Sequence, residues 1–166
     1  MKKVGVIMGS DSDLEVVRKA TDMLRSFDIP FEVHVYSAHR TPVEAREFAL
    51  NARENGFGVL IAAAGMAAHL AGAVAARTIR PVIGIPVGGQ NLAGMDALCA
   101  TVQMPPGFPV ATVALDKAGA RNAAWMAAQI LALADRELAA TIEARRAAMR
   151  EAVVAQGEAI ERKYAG

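Results

Sequence analysis

The chain reads as a three-layer α/β domain built on a five-stranded parallel sheet. Three observations predict it. Short apolar runs alternate with stretches of helical periodicity through about residue 134. The third run, Gly58 to Ala63, is apolar without alternation, as in strands buried on both faces. The junctions between runs are rich in Gly, Ser, Asp and Pro, which turn chains. A length of 166 residues suits one core.

The elements follow in order. Val4 to Met8 is a strand, and Gly9-Ser10-Asp11-Ser12-Asp13 turns the chain. Leu14 to Ser26 is a helix with Leu14, Val17, Met23, Leu24 and Phe27 near one face, capped by Asp11 or Ser12. Phe31 to Tyr36 is the second strand, rich in β-branched and aromatic residues. Pro42 suits a first helical position, so Val43 to Asn55 is helical, with Asn55-Gly56 as a left-handed stop. After Gly58 to Ala63, a small-residue turn enters a helix running to about Arg77. Pro81 to Pro86 is the fourth strand, and Val87 to Ala93 a glycine-rich loop whose Gly88-Gly89-Gln90-Asn91 has the composition of a mobile flap. Met95 to Val102 is helical, Met104-Pro105-Pro106-Gly107 stops it, and Phe108 to Leu115 is the fifth strand. Helix then runs from Ala118 to the end, interrupted near Ala134-Asp135. Right-handed crossovers narrow the topologies, and the flavodoxin-like order 2-1-3-4-5 is the expectation. That order comes from the fold class rather than from any residue. It sets the loops at Ser10, His39 and Gly65 along one edge, beside the switch point between the first and third strands.

Residues 135–166 form a separate C-terminal helical extension to the catalytic domain of residues 1–134. Leu138, Ile142, Met149, Val153, Ile160 and Tyr164 recur in an eleven-residue pattern, close to the natural pitch of a straight helix. A sheet already covered by helices has little room for this stripe, so it is expected to pack on a neighbouring subunit.

Composition excludes several classes. A formal net charge of +1 and the lack of a basic stripe argue against nucleic-acid binding. The single cysteine, Cys99, rules out an intrachain disulfide and is expected to be a buried, inert thiol. The three histidines show no metal-ligand spacing, and no Cys-x-x-Cys occurs. The N-terminal apolar run is too short for a signal peptide and no stretch suits a membrane span, so the cytoplasm is the expected location.

The chemistry gathers at the turns. His39 and Arg40 stand together where a strand hands over to a helix: a group that moves protons near neutral pH beside a fork of donors for phosphate or carboxylate. The first turn has hydroxyls and free helix amides for a phosphate, and an aspartate for a ribose hydroxyl. A plain helix cap explains the same residues. Neither a P-loop nor a dinucleotide fingerprint is present. The third turn, Ala64 to Leu70, is made of small residues that allow close backbone approach and a compact cavity. His34 lies within a strand and is expected to face outward, His69 alone reads more readily as a helix-start histidine than as a catalyst, and His39 is the best general acid/base candidate.

Taken in order, Met8-Gly9-Ser10-Asp11-Ser12-Asp13, Ser37-Ala38-His39-Arg40-Thr41-Pro42 and Ala67-Ala68-His69-Leu70 resemble the class I N5-carboxyaminoimidazole ribonucleotide mutases of purine (IMP) biosynthesis. Val102-Gln103-Met104-Pro105 and Asn122-Ala123-Ala124 fit the same family, and the matches span about residues 4 to 134. The resemblance implies a homo-octamer with sites at subunit junctions. It implies an isomerase that needs no cofactor or metal and moves a carboxylate from an exocyclic nitrogen to a ring carbon, through carbon dioxide. By this likeness His39 is the catalytic acid/base. Arg40 holds the phosphate and Asp13 the ribose, with Ser10, Ser12 and Ser37 assisting, while Gly65, His69 and Leu70 line the base and carbon dioxide end. The family pattern at the third turn is Gly-Gly-Ala-Ala-His-Leu-Pro-Gly. Here Met66 and Ala71 depart from it. Two alternatives stand beside this reading: a class II carboxylase using free carbon dioxide, and a non-catalytic nucleotide-binding module. Arg40, where class II relatives carry lysine, and the Ala-Ala-His-Leu block favour class I.

Overall fold

The computed structural model describes residues 1–89 and 92–165. Five strands, β1 (Lys3–Met8), β2 (Phe31–Val35), β3 (Phe57–Gly65), β4 (Val82–Val87) and β5 (Ala111–Thr112), form one sheet in the order β2-β1-β3-β4-β5. All pairings are parallel; Ile7 lies opposite both His34 and Ala62, and Ile61 opposite Ile83. The helices are α1 (Leu14–Ser26), α2 (Pro42–Leu50), α3 (Leu70–Ala75), α4 (Met95–Val102), α5 (Asp116–Ala132) and α6 (Arg136–Tyr164). The flavodoxin-like expectation and its strand order are borne out.

The period-2 alternation of strand side chains splits the core in two. Val4, Val6, Met8, Val59, Ile61, Ile83 and Ile85 face α1 and α5. Ile7, Leu60, Ala62 and Phe57 face α2 and α3. On α1 the buried stripe is Val16, Val17, Ala20, Thr21 and Leu24, recurring at helical spacing. Burying a residue such as Leu24 completely contributes about 1.5–3 kcal/mol. Leu14, expected on this face, opens the helix at the sheet rim and is exposed.

Several boundaries differ from the sequence expectation. Helix α2 stops at Leu50 rather than Asn55; residues 51–56 continue as turns, with Ala52 donating to Ala49 and Asn55 to Asn51, and Gly56 at φ +79° closes them. Strand β5, at the sheet edge, shrinks to Ala111–Thr112, and Pro109, with no N–H for a ladder, lies outside it. The helix after β3 ends at Ala75, short of Arg77. Cys99 is exposed, not buried: α4 turns Ala97 and Thr101 inward, and a residue two positions away points about 200° around the helix. The half-buried His34 stacks on Tyr36 at 5.2 Å between ring centroids, so it does not simply face outward.

The helical break appears between Ala132 and Arg136, where the Asp135 carboxylate accepts the Leu138 N–H and caps α6. The start of α6 is anchored on its own domain. Leu138 and Ile142 are buried, Arg145 lies 4.2 Å over the Phe27 ring, and the Arg145 guanidinium donates to the Ser26 hydroxyl and carbonyl. Beyond that, Met149, Val153, Ile160 and Tyr164 are all exposed.

Candidate active site

The turns after β1, β2, β3 and β4 meet at the carboxyl edge of the sheet around a cavity of about 550 Å³. This is the edge where open α/β sheets bind ligands.

The first turn is a short 3-10 helix, Asp11–Asp13, rather than a direct entry into α1. The cap therefore moves back to Ser10, whose hydroxyl oxygen accepts the Ser12 N–H at 3.3 Å; Asp11 and Ser12 do not cap α1. Asp13 is buried at the cavity wall. Burial raises its carboxyl above the ordinary range. The Ser10 backbone, the Ser12 hydroxyl and the Arg40 charge oppose that, and Asp11 reinforces it.

The second turn is fixed by its own hydroxyls. The Ser37 oxygen accepts the N–H groups of His39, at 3.3 Å, and Arg40, at 3.1 Å. The Ser37 N–H donates to the Thr41 hydroxyl at 2.8 Å, and Pro42 starts α2 at its first position. With its lone pairs so used, the Ser37 hydroxyl keeps its proton for a ligand. Arg40 donates from Nη2 to the Gly9 carbonyl at 3.1 Å. That bond ties the second turn to the first and leaves other guanidinium nitrogens for an anion.

The third turn supplies small residues. A Cβ on Gly65 would stand 3.0 Å from the Val87 carbonyl oxygen, so glycine lets this backbone pass close to β4. Gly65, Met66, Ala67 and Leu70 line the cavity, and Val87, Gly88 and Gly89 close another side. Met66 adopts φ +53° and is 71% exposed. The flap expected at Gly88-Gly89-Gln90-Asn91 is described only as far as Gly89; Gln90 and Asn91 lie outside the described residues.

Of the residues singled out from the sequence, Ser10, Ser12, Asp13, Ser37, His39, Arg40, Gly65 and Leu70 all line this cavity. His69 does not. Its Nδ1 instead shares a hydrogen bond with His39 Nε2 at 2.9 Å, the rings meeting edge to face. That pairing had no signal in the sequence, nor did the Val87 wall. Among the described residues no cluster of His, Cys, Asp or Glu is arranged to hold a metal ion, and no helix is long and apolar enough to cross a membrane.

The likeness to known proteins runs along nearly the whole chain. A family model described as AIR carboxylase matches residues 3–152. An N5-carboxyaminoimidazole ribonucleotide mutase of Bacillus subtilis is 51% identical over 91% of this chain and 93% of its own length. The protein of the same name from Pyrococcus abyssi is 53% identical over 80% of this chain and 75% of its own. Among solved structures, Treponema denticola PurE superposes with a TM-score of 0.85 at 26% identity, covering 97% of each chain. With its fold, its ordered turns and this extent of matching sequence, the chain belongs to the AIR carboxylase family.

Proposed function

We propose that this chain is a mutase of purine biosynthesis, converting N5-carboxyaminoimidazole ribonucleotide to 4-carboxyaminoimidazole ribonucleotide with His39 as the general acid/base. The observation that carries the mechanism is the pairing of His39 and Arg40 on one cavity that also holds Asp13 and three serines. Arg40 takes the phosphate, Asp13 accepts hydrogen bonds from ribose hydroxyls, and Ser10, Ser12 and Ser37 complete the anchor. Binding at the phosphate, away from the reacting atoms, orients the ring. His39 protonates the carbamate nitrogen, and the N–C bond breaks to release carbon dioxide. The electron-rich ring carbon attacks that carbon dioxide, and His39 takes the displaced ring proton, so the proton is returned. The small residues of the third turn keep the gas close to the ring. His69 orients the His39 ring through the bond to Nε2. Neither a metal nor a cofactor enters this scheme.

The exposure of His39 and Arg40 in the single chain suits a site completed at a subunit junction. The free half of α6 and a cavity of about 390 Å³ beside Trp125, Met126 and Met149 supply apolar surface for the homo-octamer that the family resemblance implies. The enzyme works in the cytoplasm on a small-molecule ribonucleotide.

The test is a turnover assay with the carbamate substrate in the absence of ATP and added metal. Parallel reactions receive aminoimidazole ribonucleotide with bicarbonate. Consumption of the carbamate at low concentration supports the mutase, and preferential use of aminoimidazole ribonucleotide identifies the class II carboxylase. Binding without turnover of either identifies a nucleotide-binding module.

A further inference from the structure

The loop that leaves β4 and walls the cavity is held from outside the site. The Gly88 N–H donates to Asp116 Oδ1 at 2.7 Å, across 28 residues of sequence. Asp116 is the first residue of α5 and sits at φ +55°, a backbone region that side chains other than Gly, Asn and Asp rarely enter. The fit is close on both sides: a Cβ on Gly88 would stand 2.8 Å from Asp116 Oδ2. The far end of the loop packs against the same junction. A Cβ on Gly94, at φ +84°, would stand 2.7 Å from Leu115 Cδ2 and 3.1 Å from Gly88 Cα. The β5–α5 junction thus touches both ends of the loop, and holds by a hydrogen bond the end whose residues, Gly88 and Gly89, line the cavity. A strained backbone that aims a carboxylate at one amide is a device for fixing that amide.

We propose that Asp116 is a positioning residue that sets the Gly88–Gly89 wall of the cavity before substrate arrives, as an acceptor rather than as a charge. This rests on the mutase reading for its kinetic consequence. A wall held in place before binding lowers KM more than it raises kcat.

Two variants separate the contributions. Asp116→Asn keeps an acceptor oxygen and tolerates positive φ. Asp116→Gly tolerates positive φ and has no acceptor. Amide hydrogen exchange at Gly88 and Gly89 and steady-state kinetics on the carbamate substrate are measured for both variants in the full chain. The expected result is exchange about tenfold faster in Asp116→Gly, with KM raised about tenfold and kcat changed much less, and both restored most of the way in Asp116→Asn. Unchanged exchange and KM in Asp116→Gly would overturn the proposal. So would an Asp116→Asn variant as impaired as Asp116→Gly, which would assign the effect to charge. If the wild-type chain leaves the carbamate untouched, the mutase reading fails, and the exchange comparison still decides the tether.

Discussion

His39 and His69, 30 residues apart in sequence, share a hydrogen bond of 2.9 Å between Nε2 of the first and Nδ1 of the second. Only His39 lines the cavity. The proposed mechanism gives the two complementary roles: His39 exchanges a proton with the substrate, and His69 orients the ring of its partner. His39→Asn should retain nucleotide binding and lose turnover by at least ~100-fold, in line with the contribution of a placed acid/base. His69→Asn should keep binding and lower kcat by a smaller factor while displacing the pH–rate profile. Single-turnover kinetics across pH checks both; an unaltered rate in His39→Asn would remove the assignment.

Arg40 predicts a selective loss. One guanidinium nitrogen is occupied by the Gly9 carbonyl, and the rest of the fork is open to an anion. Arg40→Leu should weaken the ribonucleotide by about 2 kcal/mol, roughly thirtyfold, and the corresponding nucleoside far less. Calorimetric titration with each ligand measures the difference. Equal losses would place the phosphate elsewhere.

Met66 makes a prediction about stability. At φ +53° a methionine backbone is strained by about 1–2 kcal/mol, and glycine at that position has no such strain but loses more entropy on folding. Met66→Gly should therefore raise stability by about 0.5 kcal/mol, whereas Met66→Val, β-branched at positive φ, should lower it by at least ~1 kcal/mol. Denaturant unfolding gives both. The glycine variant also removes an exposed side chain from the cavity rim, so its kinetics report whether Met66 obstructs the site.

Asp13 links stability to pH. Its folded-state pKa lies above the ordinary 3.8, chiefly because burial disfavours the charge. The folded protein therefore binds that proton more tightly than the unfolded chain. The cost to stability is full above the folded pKa and is relieved as pH falls through it toward the unfolded value. Asp13→Asn should be more stable than the wild type at pH 7, with the gap closing in acid, and should bind the nucleotide less well. Thermal unfolding across pH tests the first part, and a gap that widens in acid would reverse the assignment.

Helix α6 supplies a test of assembly that spares the domain. Because Leu138 and Ile142 belong to the core, removing everything after Asp135 would damage the fold itself. Met149→Glu with Val153→Glu changes only exposed positions. The pair should leave the unfolding of the domain cooperative and reduce the particle mass in light scattering; an unchanged mass would show that this stripe is not a subunit contact.

The fold was legible wherever one physical signal dominated. The continuous apolar run of β3 and the break before α6 announced themselves in composition and spacing. Strand β5 was overestimated because Pro109 sits inside an otherwise apolar run, and a missing N–H outweighs side-chain preference at a sheet edge. Cys99 was misplaced because α4 is short and apolar on more than one side, so periodicity could not choose its inner face. Most of the site was legible because its residues lie in turns whose types have chemical reasons to be there. What stayed hidden was pairwise and long-range: His69 on His39, Arg40 on Gly9, Asp116 on Gly88. Such contacts depend on which loops the topology brings together, and local sequence carries no record of that.

The Ser37 oxygen receives the amides of two consecutive residues, and those residues are the proposed proton donor and anion anchor. The two groups are thus geared together: any shift of that hydroxyl moves both. Drift toward a ligand of different shape would have little freedom to begin at this turn, because retuning one partner would misalign the other. Of the third turn, His69 is tied to His39, but Met66 and Ala67 line the cavity apart from that hydroxyl, and it is there that the chain already carries an unusual side chain, Met66.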